Sequence, residues 1–397
     1  MQQRKGGGAT KILYTLNTVR KIGLLNSAQA LSAKNTCKAC ALGMGGQAGG
    51  MTNELGEFPA VCNKSVQAQS TDIQPPIPIE VFAHSVDEFR DLSAQQMEKL
   101  GRLGEPIHKS PGGNTFSPIS WDNALDLATE RLRDTQAQRS FFYASGRSSN
   151  EAAFLFQLFA RMYGTNNVTN CSYYCHQATG VALSGTVGTG TATVELNDLG
   201  LCDTIFVIGA NPASNHPRFI HQLKGCRDRG GDVIIINPAR EPGLFKFALP
   251  KSPKSLLTGG SEIASDFLQP RIGGDIAVFK GIAKALLELS SEDRAFISSH
   301  TQNWDGFRAD IVQTSWSQIE RISGVNQDDL VRIAKIYANS KSAVFAWGMG
   351  MTHHAHGVAS FDDHCPRFNA RHDWSAGRWS FTAARALQCS RRGHYRR

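Results

Sequence analysis

Residues 203–237 read DTIFVIGANPASNHPRFIHQLKGCRDRGGDVIIIN, and this stretch decides the fold class of the chain. Two of its runs, residues 203–209 and residues 232–237, are apolar almost throughout, and residues 217–229 between them are predicted to form a helix. Strands without polar alternation are buried on both faces, as in a parallel sheet that is covered by helices. The stretch therefore predicts an α/β fold.

The same alternation of strand and helix continues on both sides of this stretch. Upstream, residues 141–144 form a short apolar strand, and residues 151–163 form a helix. Downstream, residues 275–289 and 328–339 are predicted helices, and residues 343–347 are a further buried strand. We therefore expect parallel sheets flanked by helices.

Three of the predicted strands end in turns that are rich in glycine and asparagine. The turn GANP contains Gly209, Asn211 and Pro212, NPAR spans residues 237–240, and GMGMT spans residues 348–352. Ligands of parallel sheets bind at such strand ends, where backbone amides can approach phosphates. Any one of these segments could be only a tight turn. Three in succession indicate a nucleotide-like cofactor, but none is G-x-G-x-x-G, so a nicotinamide dehydrogenase is not favoured.

A second candidate site combines Cys171 and Cys175 with His176, in the order C-x3-C-H. Thiolates bind soft metals, and an adjacent imidazole can accept a proton near neutral pH. The pair Cys175-His176 therefore suits a soft metal centre or a nucleophile. The alternative is that Cys175 is only a small buried apolar side chain.

A third candidate lies near the N-terminus, where two residues separate Cys37 from Cys40. This spacing lets both thiolates face one centre, as in zinc and iron–sulfur sites. Cys62 is the next cysteine, and Lys64 follows it closely. Three cysteines are one fewer than a four-cysteine site needs, so an incidental pair in a loop is an equal alternative.

The composition is that of an ordinary globular chain, with 41% hydrophobic and 19% charged residues among 397. No apolar run approaches the roughly 20 residues that span a bilayer, and the N-terminus lacks a secretory signal. Nine cysteines without a dense framework fit thiols or metal ligands better than disulfides, which favours the cytoplasm.

The formal net charge of +8 is concentrated in residues 356–397, where eight arginines and three aspartates contribute +5. The remaining +3 argues against a nucleic-acid surface on the body of the protein. The same tail contains one valine, one leucine and no isoleucine, so it cannot bury much apolar surface. We expect this tail to be aberrant and translated out of frame.

Several short motifs, taken in order, resemble the molybdopterin-dependent oxidoreductases of the dimethyl-sulfoxide-reductase superfamily, in the formate-dehydrogenase-like FdhF/YdeP group of alpha subunits. The likeness runs from about Asn35 to His356 through GRSSNEAAFLFQLFARMYGTNN, C-x3-C-H, GANPASNHPR, INPAREPG, GGDIA and WGMGMTHH. The resemblance implies a multi-domain architecture, a bis-molybdopterin guanine dinucleotide cofactor and a molybdenum centre.

The resemblance also implies roles for individual positions of this sequence. Cys175 would be the ligand to molybdenum, and His176 would help to remove a proton from the substrate. Further contacts with the cofactor are implied at Gly209, Asn211, Pro212, His216, Asn237, Arg240, Gly274, Asp275, Gly348 and Met349.

Many members of this family carry an N-terminal [4Fe-4S] cluster that passes electrons to or from the pterin. Cys37, Cys40 and Cys62 match three of its ligands, and Lys64 matches the lysine between cluster and pterin. Where the family's common third cysteine would stand, this chain has Met44. The cluster therefore uses another ligand, is a variant, or is absent.

We expect four regions in this chain. They are an N-terminal segment with the iron–sulfur cysteines (residues 1–80), the start of the molybdopterin oxidoreductase domain (81–140), an α/β molybdopterin-binding region (141–355) and the aberrant tail (356–397). No segment matches the family's downstream arginine-containing substrate motif or its C-terminal cofactor-binding domain. We therefore expect a chain that is truncated at its C-terminus.

The expected function is the two-electron oxidation of a small substrate, for which formate is the best match to the Cys-His pair. Electrons would pass through the pterin to the cluster and then to a partner protein. One alternative is an inactive fragment, or a non-enzymatic protein that binds partners through an exposed apolar patch. Another, based on Cys37, Cys40 and the basic tail, is a zinc-containing nucleic-acid binder.

Overall fold

A computed structural model describes residues 6–33, 50–53, 55–60, 62, 66, 73–145, 148–190, 193–250, 252–354 and 380–381. The helices in these ranges are α1 Ala9–Ile22, α2 Leu24–Ser32, α3 Val86–Arg90, α4 Ala94–Lys99, α5 Trp121–Arg133, α6 Asn150–Tyr163, α7 Cys171–Thr186, α8 Asp198–Leu201, α9 Pro212–Asn215, α10 Pro217–Asp228, α11 Pro242–Phe245, α12 Pro253–Leu257, α13 Asp275–Glu288, α14 Arg294–His300, α15 Trp304–Gln313, α16 Trp316–Ser323, α17 Gln327–Asn339 and α18 Met349–Thr352. The strands are β1 Gly6–Gly7, β2 Ile107–His108, β3 Ser117–Pro118, β4 Phe142–Ala144, β5 Val168–Asn170, β6 Thr204–Ile208, β7 Asp232–Ile236, β8 Lys246–Ala248, β9 Ser261–Glu262, β10 Asp266–Leu268, β11 Ala343–Trp347 and β12 Ser380–Phe381.

Parallel strands form the central sheet in the order β10-β7-β6-β11-β12. Thr204 pairs with Asp232 and Ile208 with Ile236, so the two runs of residues 203–237 are neighbours in the sheet. On the other side of β6, Ala343 of β11 pairs with Thr204. The predicted α/β class, with parallel strands and flanking helices, is confirmed.

The strands are apolar without alternation because both faces of the sheet are covered. Successive side chains point to opposite faces, so Phe206, Ile208, Ile234 and Ile236 pack in one core with α13, α15, α16 and α17. Their neighbours along β6 and β7 pack in a second core with α10. Every residue of β6 is buried.

Most predicted elements agree with the structure to within one residue at each end, and β11 has the predicted bounds. The helices α1 and α2 were not predicted in the N-terminal segment. Leu13 and Leu16 of α1 are exposed, so the apolar residues of this helix do not mark a buried face. The predicted limits of the four regions stay a prediction.

The turns after β6 and β11 approach each other so closely that side chains would collide. A Cβ atom on Gly350 would lie 2.7 Å from both the Cα and the carbonyl oxygen of Gly209. Gly209 itself has a φ of 54°, in the left-handed region that favours glycine. The amide of Gly350 donates to the carbonyl of Gly209 at 3.0 Å, so the two turns are in backbone contact.

A smaller parallel sheet is formed by β4 and β5, which α6 connects as the crossover helix. The strand β5 runs directly into α7, and α7 packs against α18, the short helix after β11. This β4-α6-β5 unit therefore brings α7 to the carboxyl edge of the central sheet.

Two further findings concern the described part of the chain. None of its helices is long and apolar enough to cross a membrane. In the tail, Ser380–Phe381 forms β12 beside β11, and the other residues beyond 354 lie outside the described ranges. The out-of-frame origin of the tail stays a prediction.

Replacing Gly350 with alanine should destabilise the fold, because the added methyl group would meet the backbone of Gly209. We expect the free energy of unfolding to fall by about 1–3 kcal/mol, the usual cost of overpacking. The matched control is Gly185→Ala in α7, where nothing lies within 4 Å of the new methyl group. Urea unfolding measures both variants, and a Gly350→Ala variant as stable as the parent chain would contradict the prediction.

Candidate active site

The helix α7 begins at the end of β5 and carries both cysteines of the C-x3-C-H motif. Asn170 caps it, because its Oδ1 accepts a hydrogen bond from the amide of Tyr173 at 3.3 Å. Cys171 is the first residue of the helix, and Cys175 lies about one turn further along. Both thiols are half-buried, so each can be reached from solvent.

His176 and Thr179 lie on the buried face of α7, where His176 is 2% exposed and Thr179 is fully buried. The hydroxyl of Thr179 accepts a hydrogen bond at 3.1 Å from the indole Nε1 of Trp347, the last residue of β11. Residues four apart share a side of a helix, so Cys175 and Thr179 lie on the same side of α7. The bond therefore fixes the cysteine-bearing turn beside the carboxyl end of β11.

The turn after β6 is held by its own side chains. The Oδ1 of Asn211 accepts a hydrogen bond from the amide of Ser214 at 3.2 Å, and Pro212 is the first residue of α9. His216 stands between α9 and α10, and burial lowers the pKa of its imidazole. This ring is therefore neutral at neutral pH, with one nitrogen that donates and one that accepts.

Asn237 joins the turn after β7 to the turn after β6. Its Nδ2 donates to the carbonyl of Ala210 at 3.2 Å, and its Oδ1 accepts from the amide of Ala239 at 3.0 Å. Arg240, three residues later, is exposed, and its guanidinium lies 4.6 Å from the centre of the Phe245 ring. A guanidinium stacked in this way keeps its N–H groups available for an anion.

Gly274 and Asp275 follow the edge strand β10, and Asp275 begins α13. A Cβ atom on Gly274 would lie 2.9 Å from the Cα of Ser323, so the end of α16 packs directly on this turn. Burial raises the pKa of the Asp275 carboxyl, while its own backbone amide and the His354 imidazole oppose the rise. The Nε2 of His354 lies 3.9 Å from the Oδ2 of Asp275, which links the turns after β10 and β11.

The structure therefore brings the predicted cofactor contacts to the carboxyl ends of neighbouring strands. They are Gly209, Asn211, Pro212 and His216 after β6, Asn237 and Arg240 after β7, Gly274 and Asp275 after β10, and Gly348 and Met349 after β11. Their turns are joined by hydrogen bonds, by backbone contact and by the approach of His354 to Asp275.

Three side chains that hold this edge were missed by the sequence analysis: Thr179, Trp347 and His354. Spacing along α7 could have drawn attention to Thr179, which lies one turn after Cys175. Its partner Trp347, however, is 168 residues away in the sequence. His354 belongs to the motif WGMGMTHH, but nothing local indicates a contact with Asp275.

Of the three N-terminal cysteines, the described residues include only Cys62. Cys62 is buried, whereas Cys37, Cys40 and Lys64 lie outside the described residues. Within the described ranges, no group of three or more His, Cys, Asp or Glu side chains is arranged to hold a metal ion. The three-cysteine ligand set stays a prediction.

Curated relatives of this chain include two proteins that are named as an oxidoreductase or a dehydrogenase. An uncharacterized oxidoreductase of Mycobacterium tuberculosis is 34% identical over 376 residues, which cover 91% of this chain and 48% of the relative. Escherichia coli YdeP is 38% identical over 308 residues, which cover 74% of this chain and 40% of YdeP. Formate dehydrogenase H of E. coli is 28% identical over 65% of this chain and 34% of its own length.

The structural comparison agrees with the fold. Acetylene hydratase from Pelobacter acetylenicus matches with a TM-score of 0.53 at 18% identity, over 66% of this chain and 34% of that one. The chain spans about half the length of the curated relatives it matches. Residues 102–365, which contain α7 and all four turns, match the family model described as Molybdopterin oxidoreductase, and the chain therefore belongs to the molybdopterin oxidoreductase family.

Proposed function

We propose that this chain is the part of a formate-oxidising enzyme that binds a bis-molybdopterin guanine dinucleotide along the carboxyl edge of the central sheet. Cys175 would hold the molybdenum. Membership of the family implies a molybdopterin cofactor with molybdenum. The observation that carries the proposal is the hydrogen bond from Trp347 to Thr179, which keeps the Cys175 turn beside this edge.

The residues at the edge fit such a group. Cys175 offers a half-buried thiol, a soft donor suited to a transition metal. Arg240 offers a stacked cation for phosphate. The Asp275 carboxyl, once ionised, can accept hydrogen bonds from the N–H groups of a guanine base.

The proposed chemistry assigns a distinct task to each protein group. When bound, the cofactor would supply a metal centre that accepts two electrons. Formate that becomes carbon dioxide loses two electrons and one proton. His176, next to Cys175 and almost closed to solvent, would take that proton. Thr179 and Trp347 would keep both residues in position through α7.

Electrons from the substrate would leave the site through an iron–sulfur cluster. Cys37, Cys40 and Cys62 would hold a [4Fe-4S] cluster, Lys64 would lie between cluster and pterin, and a partner protein would take the electrons. The two-residue spacing of Cys37 and Cys40, with Cys62 as a third thiol further along the chain, supports this proposal. A reducing cytoplasm would preserve them.

A non-enzymatic role in binding a partner is the second candidate. One observation favours it: α6 exposes a broad apolar surface, on which Phe154 is 63% and Met162 80% exposed. Such surfaces mark sites of interaction. Molybdenum content separates the two candidates, because the enzyme would retain about one metal per chain and the binding protein would be soluble without it.

Substituting Cys175 with serine should abolish formate oxidation, because a hydroxyl is a much poorer ligand than a thiolate for a soft metal. We expect the rate of formate oxidation to fall about 100-fold or more. This loss exceeds the effect of changing a residue that only hydrogen-bonds to a metal ligand. Dye-linked formate oxidation and molybdenum content are measured on protein from a host that makes the pterin. Cys171→Ser, with a half-buried thiol one turn earlier, is the control. Full activity in Cys175→Ser would exclude Cys175 as the ligand.

Removing the Cys37 thiol should affect iron and leave molybdenum in place. Cys37→Ala should lose the broad visible absorption of an iron–sulfur cluster and most of the bound iron, because a thiolate ligand is absent. Cys171→Ser again serves as the control, since it removes a thiol from the molybdenum side. A parent chain without iron or visible absorption would refute the cluster.

The neutral His216 ring should make stability depend on pH. The folded state resists protonation of this partly buried imidazole, whose ordinary pKa is 6.5, so the unfolded state binds more protons as the pH falls below that value. The free energy of unfolding should therefore fall by up to about 1.4 kcal/mol for each pH unit below the ordinary pKa of histidine. In His216→Gln this part of the slope should vanish, whereas His353→Gln should keep it. Urea unfolding between pH 7.5 and pH 5, roughly the span over which histidine changes charge, measures the difference, and identical slopes in all three proteins would disprove it.

A further inference from the structure

Two cysteines that take no part in the candidate active site lie together at the opposite, amino end of the central sheet. Cys202 ends α8 just before β6 begins, and Cys226 lies in α10. Both belong to the core on one face of the sheet, with exposed fractions of 1% for Cys202 and 0% for Cys226. Both are free thiols, so the pair is available for chemistry of its own.

Hydrogen bonds fix the segments that carry these two cysteines against each other. The guanidinium of Arg229 donates to the carbonyls of Leu199 and Cys202, at 3.1 and 2.9 Å. The Cys202 thiol donates to the carbonyl of Leu199 at 3.6 Å. The Cys226 thiol donates to that of Asp232 at the same distance, 3.6 Å. The two thiols are also within hydrogen-bonding reach of each other, so the fold holds the sulfur atoms as a facing pair.

An open cleft of about 750 Å³ lies beside the pair at this end of the sheet. Asp203, Gly231 and Asp232 are among the residues that line it, together with side chains of α17 such as Lys335. A Cβ atom on Gly231 would lie 2.7 Å from the Sγ of Cys226. The backbone of Gly231 therefore separates the Cys226 sulfur from the cleft without a side chain in between, and a small oxidant in the cleft comes close to this sulfur.

The two thiols differ in acidity, which gives them different tasks. The contact with Cys202 lowers the pKa of the Cys226 thiol, and the nearby Arg229 guanidinium adds to this effect while burial opposes it. The same contact, together with burial, raises the pKa of the Cys202 thiol. The thiolate is the reactive form of cysteine. Cys226 is therefore the thiol that attacks an oxidant, and Cys202 is the thiol that reacts second.

We propose that Cys202 and Cys226 form a dithiol site that hydrogen peroxide oxidises to a disulfide. The Cys226 sulfur attacks the peroxide, an S–O bond forms as the O–O bond breaks, and the departing hydroxide takes the thiol proton to leave as water. The Cys202 sulfur then attacks the Cys226 sulfur, an S–S bond replaces the S–O bond, and the second water leaves with the Cys202 proton. The two thiols together lose two electrons and two protons, and one peroxide becomes two water molecules.

The disulfide would close a loop of residues 202–226, which contains β6 and the turn with Gly209 and Asn211. A cross-link of this kind restricts the unfolded chain more than the folded one. The oxidised chain should therefore resist unfolding better than the reduced chain. The pair lies at the amino ends of the strands and Cys175 at the carboxyl edge, so the inference is independent of the proposed reaction.

The test exposes the full, reduced 397-residue chain to hydrogen peroxide without denaturant and then blocks the remaining thiols with iodoacetamide. Digestion with trypsin and Glu-C gives one peptide of residues 196–218 and another of residues 225–227, each with a single cysteine. Mass spectrometry should find these peptides joined, and dithiothreitol should separate them. The urea midpoint should shift upward on oxidation and return on reduction. Absence of joined peptides from the folded chain, or their appearance only in unfolding urea, would overturn the proposal.

Alanine variants, whose folding is checked by circular dichroism, assign the order of attack. Cys202→Ala should lose the joined peptides and accumulate a sulfenic acid on Cys226, which dimedone traps. Cys226→Ala should lose the joined peptides and leave Cys202 unlabelled by dimedone. Cys171→Ala, at a half-buried thiol in α7, is the matched control and should keep the joined peptides. Dimedone on Cys202 in Cys226→Ala, with none on Cys226 in Cys202→Ala, would refute Cys226 as the attacking thiol. The joined peptides of the unsubstituted chain test the pair itself even where a variant does not fold.

Discussion

The buried hydrogen bond from Trp347 to Thr179 is the contact on which the candidate site depends. Its donor ends a strand of the central sheet, and its acceptor lies on the helix that carries Cys175. Loss of either partner would leave a polar group unsatisfied in the core, which costs about 1–3 kcal/mol. The bond that positions Cys175 is therefore also part of the folded core, so the geometry of the site and local stability are linked.

At the carboxyl edge of the sheet, a few contacts likewise hold several turns together. Gly209 and Gly350 permit two turns to touch through their backbones, and Asn237 ties a third turn to them through its side-chain amide. These contacts use the side-chain amide of Asn237 and the backbone amide of Gly350, whereas Arg240 and Asp275 are among the side chains that could meet a ligand. A long cofactor would then be recognised by a preformed edge, which loses little entropy on binding.

Local patterns predicted much of this architecture and the positions of its reactive groups. The apolar runs of β6, β7 and β11, and the helices α6 and α13, follow from periodicity and strand length. The helix α1, whose leucines are exposed, was not predicted at all. Periodicity also could not tell which side of α6 is buried, since Phe154 and Phe156 are chemically alike and differ only in what packs against them.

The sequence by itself determined the main strands and helices of the central sheet, their order, and which residues bring thiol, imidazole, guanidinium and carboxyl groups to the ends of strands. Only the tertiary structure decided that Trp347 meets Thr179 and that His354 approaches Asp275. The reason is physical: propensity and periodicity act over a few residues, whereas these pairs are set by the order β10-β7-β6-β11 and by how α7 packs on α18. Contacts between distant segments form only when the whole core closes around them.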